Sequence, residues 1–155
     1  MKLTSPVFTE GGKIPSKYTC DGENINPALT ITDVPVEATS LVLIMDDPDI
    51  PDFVKQKNNI EVWDHWIVWN IPPSTKNIPE GKNPLGVVGR NSRGNNTYGG
   101  PCPPDREHRY FFKLYALDTE LKLTESSTKV DVEAAMEGHL VAEAKLMGRY
   151  ERVKK

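Results

Sequence analysis

Apolar residues along this chain gather in short blocks separated by glycine and proline, and most blocks are too short for helices. Residues 40–45, Ser-Leu-Val-Leu-Ile-Met, form a continuous apolar run between turn residues, the pattern of a strand buried on both faces. Residues 65–70 alternate, with His65, Ile67 and Trp69 on one face and Trp66, Val68 and Asn70 on the other, as in a strand. Trp66 and Trp69 are expected in the core, and Pro72-Pro73 ends the strand. Residues 108–116 alternate too: His108, Tyr110, Phe112 and Leu114 share a face, and Arg109, Phe111, Lys113 and Tyr115 share the other. Residues 2–4 and 29–32 are shorter strand candidates.

The remaining segments read differently. Residues 53–60 are polar and read as a surface excursion. Residues 74–97, spaced by Gly81, Gly86, Gly89 and Gly94, read as a long loop, and loops of that length are often functional. Its Arg90 and Arg93 read as exposed arginines within reach of an anion. Thr128 followed by Asp131 marks a helix start. Val132, Met136, Leu140 and Met147 follow at mostly helical spacing. An amphipathic helix, or two bent near Gly138, is expected there, with a partly buried His139 on it. Several short strands with one late helical region predict a mainly β fold.

At 155 residues the chain is long enough to bury a core as a single domain, 1–155. Charged residues are 26% and hydrophobic residues 37%, which places it among soluble globular proteins. A net charge of −3 argues against a general nucleic-acid binder, which would show a basic face. No apolar run approaches the ~20 residues that span a membrane, and the first residues carry no hydrophobic signal segment. A cytoplasmic protein without stable membrane insertion is therefore expected. In that compartment Cys20 and Cys102 default to reduced thiols, although the two could lie close in space.

The densest chemistry lies between Tyr98 and Tyr115. Gly99-Gly100 lets backbone approach a ligand closely. Pro101, Pro103 and Pro104 then stiffen the turn, which is compatible with a cis X-Pro bond. Just beyond it, His108 and Tyr110 stand side by side as a ligand-facing pair. Asp46, Asp47 and Asp49 cluster at the end of the apolar run, which is costly unless they are solvated or paired. For Asp46 a solvated turn is expected. No Gly-x-Ser-x-Gly elbow is present, and Cys102 with a nearby histidine is the only candidate nucleophile–base pair.

Asp47-Pro48-Asp49-Ile50-Pro51, Val62-Trp63-Asp64-His65-Trp66, and Gly100-Pro101-Cys102-Pro103-Pro104 with His108-Arg109-Tyr110 resemble motifs of the phosphatidylethanolamine-binding protein family. They occur in the family's order. Cys20-Asp21-Gly22-Glu23-Asn24 and Gly148-Arg149-Tyr150-Glu151-Arg152 resemble its prokaryotic, Raf-kinase-inhibitor-like branch. The resemblance implies a β-sandwich with a large antiparallel sheet, a smaller sheet and a few peripheral helices. It implies a small cavity for phosphate, phosphoethanolamine-like compounds or acetate, lined by Asp47, His65, Gly100, Cys102, Pro103, His108 and Tyr110. In this reading the histidines and Tyr110 donate to the anion. Backbone N–H groups of residues 100–102 add donors, and Asp47 holds a histidine tautomer.

The resemblance implies no cofactor, no catalysis, and a possible homodimer. A protein partner, a kinase or a serine protease, is also possible. Two alternatives remain open: an inhibitor acting through surface loops without ligand, and a metal-binding or weakly hydrolytic Asp/His site. The chain ends soon after Tyr150, in Lys154-Lys155. Mammalian relatives have a terminal helix near the pocket mouth, so a small phosphoryl compound is expected rather than intact phospholipid.

Overall fold

The computed structural model describes residues 1–153; Lys154 and Lys155, read above as the basic end of the chain, lie outside the described residues. Strands β1 (Lys2–Thr4), β2 (Leu29–Thr32) and β5 (Asn77–Ile78) form a small antiparallel sheet in the order β1-β2-β5. The large sheet has the order β6-β4-β3-β7-β8. Its strands are β3 (Ser40–Asp47), β4 (Trp63–Ile71), β6 (Val87–Val88), β7 (His108–Leu117) and β8 (Leu140–Tyr150), all paired antiparallel. The expected mainly β sandwich with two unequal sheets is what the chain forms.

Strand β3 lies at the centre of the large sheet and is buried along its whole length, as its apolar run predicts. Leu41, Leu43 and Met45 face the small sheet with Trp66, Val68, Tyr110 and Phe112. Val42 and Ile44 face the other way with Ile67, Trp69 and Val132. Trp66 and Trp69 are both fully buried.

Three expectations about local structure are corrected. Residues 53–60 are not merely an excursion: Asp52–Asn58 is helix α1, led in by Pro51 and closed by Asn59 in the left-handed region at φ 54°. It buries no residue, so no apolar period betrays it. Helix α2 is Lys129–Met136, with the anticipated capping box between Thr128 and Asp131, but it stops before Gly138. Residues 140–150 are strand β8, paired with β7 from Leu117 to His108. Leu, Ala, Glu, Lys and Met favour helix in isolation, and the long β7 partner overrides that weak preference. His139 consequently sits between helix and strand, half exposed and 2.7 Å from Asp118. No cis peptide bond occurs among the described residues.

Candidate functional site

The strand ends bring the candidate residues together. Asp47 ends β3, His108 and Tyr110 begin β7, and Trp63 and His65 begin β4. The residues flanking β3 carry the polar anchors. Each carboxylate of the Asp46-Asp47-x-Asp49 cluster has its own cation, and all of these partners include a β7 residue. Asp46 meets Lys113 Nζ at 2.9 Å and Lys129 Nζ at 3.3 Å; Asp47 meets His108 at 2.6 Å; Asp49 grips Arg109 through both oxygens at 2.8 and 2.9 Å. Asp46 is thus buried and doubly paired, not solvated as expected. Burying it without those lysines would be prohibitive.

His65 reaches the cavity by a route that simple alternation misses. Met45 pairs with Trp66, but Asp46 pairs with Asp64, so β4 carries an extra residue opposite β3. Such a bulge re-aims a side chain. Asp64 turns toward Lys129 (3.0 Å), while His65 turns to the opposite face, its ring 5.3 Å from that of Tyr110.

A cavity of about 170 Å³ opens at this point, lined by Asp47, His65, Cys102, Pro103, His108 and Tyr110 together with Ile50, Val54, Trp63, Arg93 and Pro104. Six of the seven residues expected from the sequence line it; Gly100 does not. The Gly100 N–H donates to Asn24 Oδ1 (2.8 Å), and a Cβ there would collide with Asn24 and the Tyr18 carbonyl. Gly100 is a packing position. Its N–H is not available to a ligand, and the proline at 101 has none, so the expected backbone cradle is reduced to Cys102.

The wall containing Cys102 is firmly anchored. Cys20 and Cys102 form a disulfide, where reduced thiols were expected. The Cys20 N–H donates to the Pro101 carbonyl (3.1 Å) and Tyr98 Oη donates to the Tyr18 carbonyl (2.7 Å). With its sulfur bonded, Cys102 is no nucleophile.

Electrostatics divides the two histidines. His65 Nδ1–H donates to the Gly99 carbonyl (2.6 Å), which leaves Nε2 free of any protein partner. Burial holds the His65 pKa below its ordinary value, against the pull of that hydrogen bond, and the charge of Arg93 pushes the same way. The ring is neutral at pH 7. His108 is opposite in character: burial disfavours its charged form, but hydrogen bonds to Asp47 and to Asp105 outweigh that, and its pKa is raised. Each of its nitrogens contacts a carboxylate at 2.6 Å, so both carry hydrogen and His108 is an imidazolium.

Tyr110 lies beside both rings, its own ring 6.3 Å from that of His108. Its hydroxyl is buried without a hydrogen-bond partner in the protein, and burial pushes its pKa far up. It is a donor, not a phenolate. Among the described residues no three His, Cys, Asp or Glu side chains are placed to hold a metal ion. His108 in particular has no nitrogen left for one.

Sequence reasoning missed Ile50, Val54 and Trp63. Ile50 and Val54 flank the start of α1, a helix with no sequence period to reveal it. Trp63 lies on the same face as Asp47, its β3 partner, and that pairing follows from the bulge at His65.

The profile of the phosphatidylethanolamine-binding protein family matches residues 4–151. A UPF0098 protein of Methanothermobacter thermautotrophicus is 51% identical, covering 98% of this chain and 99% of the relative. A UPF0098 protein of Chlamydia trachomatis is 48% identical over 98% of this chain and 99% of its own. Among solved structures, a phosphatidylethanolamine-binding protein homolog from Chlamydia trachomatis superposes with a TM-score of 0.93 at 47% identity, covering 98% of this chain and 97% of the other. Escherichia coli YBCL superposes with a TM-score of 0.86 at 30% identity, covering 98% of each chain.

Proposed function

Because this chain belongs to the phosphatidylethanolamine-binding protein family, we propose that it is a non-enzymatic binding protein whose cavity takes small oxyanions, phosphate or a phosphoryl headgroup. The observation that carries this reading is the Tyr110 hydroxyl, buried and unpartnered at the cavity wall. A buried hydroxyl without a partner is costly, and a ligand acceptor would satisfy it. The His65 Nε2 beside it adds a second polar atom with no protein partner.

Size agrees. A cavity of about 170 Å³ has room for phosphate or acetate. The walls of Ile50, Val54, Trp63, Pro103 and Pro104 are apolar and strengthen any charge interaction inside. No free thiol, serine or threonine lines the cavity, and Asp47 is engaged with His108, which supports a reading of binding rather than turnover. Regulation of a kinase or serine protease would act through a phosphoryl group carried by that partner.

A pH dependence follows, best read with sulfate because it stays dianionic throughout. Neutral His65 presents a lone pair at Nε2, which faces an anion unfavourably. Binding therefore favours the imidazolium and takes up a proton. Since the free pKa of His65 lies below its ordinary value, itself ~6.5, affinity rises as pH falls toward that value. Calorimetric titration should give a sulfate affinity at least about tenfold higher at pH 5.5 than at pH 7.5. An affinity flat across that range would remove His65 from the anion's contacts and count against the reading.

A further inference from the structure

Nearly every cation around the cavity already has a carboxylate. Arg109 is taken by Asp49, Lys113 and Lys129 by Asp46, and Arg106 lies 3.7 Å from Asp105. Within the cavity wall, His108 is a buried cation, but Asp47 and Asp105 occupy one ring nitrogen each. Asp47 and Asp105 are thus balanced by His108 and Arg106, and neutral His65 does not change the sum. Such an environment by itself offers an anion no net attraction.

Arg93 stands apart. It lines the cavity, its side chain is exposed, and it has no carboxylate partner among the described residues. Its backbone is braced. The buried Asn91 side chain accepts the N–H groups of Arg93 (3.0 Å) and Asn95 (3.1 Å) and donates to the Thr97 carbonyl (2.9 Å). The neighbouring Ser92 N–H donates to the Asp64 carbonyl (2.9 Å), and Ser92 Oγ accepts the Asp64 N–H (2.8 Å). The loop is thus tied to the start of β4, the same strand that carries His65, and a free guanidinium is held at the cavity.

We propose that Arg93 supplies the counter-charge of the bound ligand and makes the cavity select dianions over monoanions. This rests on the oxyanion-binding reading above and deepens it: without Arg93 the cavity has polar donors for an anion but no net attraction. Charge–charge energy scales with the product of the charges, so losing one positive charge costs a dianion twice as much, on a logarithmic scale, as a monoanion.

The test is calorimetric titration of sulfate and of acetate at one pH, 6.0, into the wild-type chain and Arg93→Gln. Arg93 is exposed and only its backbone is hydrogen-bonded, so the variant should fold, and unchanged histidine ring resonances in the free state would verify this. The expected result is a loss of about thirtyfold for sulfate and about fivefold for acetate. Unchanged sulfate affinity in the variant would overturn the proposal. So would equal losses for both anions, which would point to a disturbed loop rather than a missing charge. If the wild-type chain itself binds neither anion, the oxyanion reading fails, a result distinct from failure of Arg93 alone.

Discussion

Replacing Tyr110 by phenylalanine is expected to move stability and binding in opposite directions. The hydroxyl is buried and has no protein partner, and an unsatisfied buried polar group costs about 1–3 kcal/mol. Removing it while keeping the ring preserves the packing against the two histidine rings. The free variant should be at least as stable as the wild type, by up to about 1–2 kcal/mol, in urea unfolding. Its sulfate affinity should fall about tenfold or more, because a hydrogen bond to a charged group contributes about 1.5–3 kcal/mol. A group that weakens the fold while strengthening binding belongs to a site. If Tyr110→Phe instead lost stability and kept its sulfate affinity, the hydroxyl would be a structural group and the central observation would be void.

Asp47→Ala is expected to have the largest effect on stability. Asp47 and His108 are both buried, with side chains 4% and 0% exposed and 2.6 Å apart. Removing one member of such a pair typically costs about 3–5 kcal/mol, because the other charge is left buried with fewer partners. The sign with pH follows from the raised His108 value. A group whose folded pKa exceeds its unfolded one, ~6.5 for histidine, contributes stability that is fully present below the unfolded value and lost as pH rises through the folded one. The deficit of the variant should therefore be largest near pH 6 and shrink at higher pH. Urea unfolding at several pH values would check this, and a deficit that grew with pH would contradict a charged His108.

Much of this arrangement is legible in the chain because it rests on local pattern. The apolar run at 40–45 announces a central strand, and the alternation at 108–116 puts His108 and Tyr110 on one face. Asp47 follows from the resemblance, and its position at the end of β3 opposite β7 explains its use.

What escaped depends on pairing between distant segments. The bulge at His65 arises only when β4 is laid against β3, and it reverses the face that strict alternation assigns. The burial of Asp46 depends on Lys113 and Lys129, which lie 67 and 83 residues away. Strand β8 is written in helix-forming residues and becomes a strand because β7 offers it an edge. The resemblance makes Gly100 a cavity residue, and glycine permits close approach; the close approach in the fold is to Asn24 and Tyr18. The disulfide joins residues 82 apart, and compartment arguments pointed away from it. Arg93 reads in the sequence as an ordinary exposed arginine, and only the fold shows that it lines the cavity.

The most direct test follows the histidine ring resonances by NMR while sulfate, dianionic at both values, is titrated into the protein at pH 6 and at pH 7.5. The chain has three histidines, two on the cavity wall and one, His139, held by Asp118 between α2 and β8. Saturable shifts at His65 and His108 with a silent His139, stronger at pH 6, are the predicted result. No saturable shift at either pH, or a response at His139 equal to the others, would contradict the claim that this cavity binds an oxyanion.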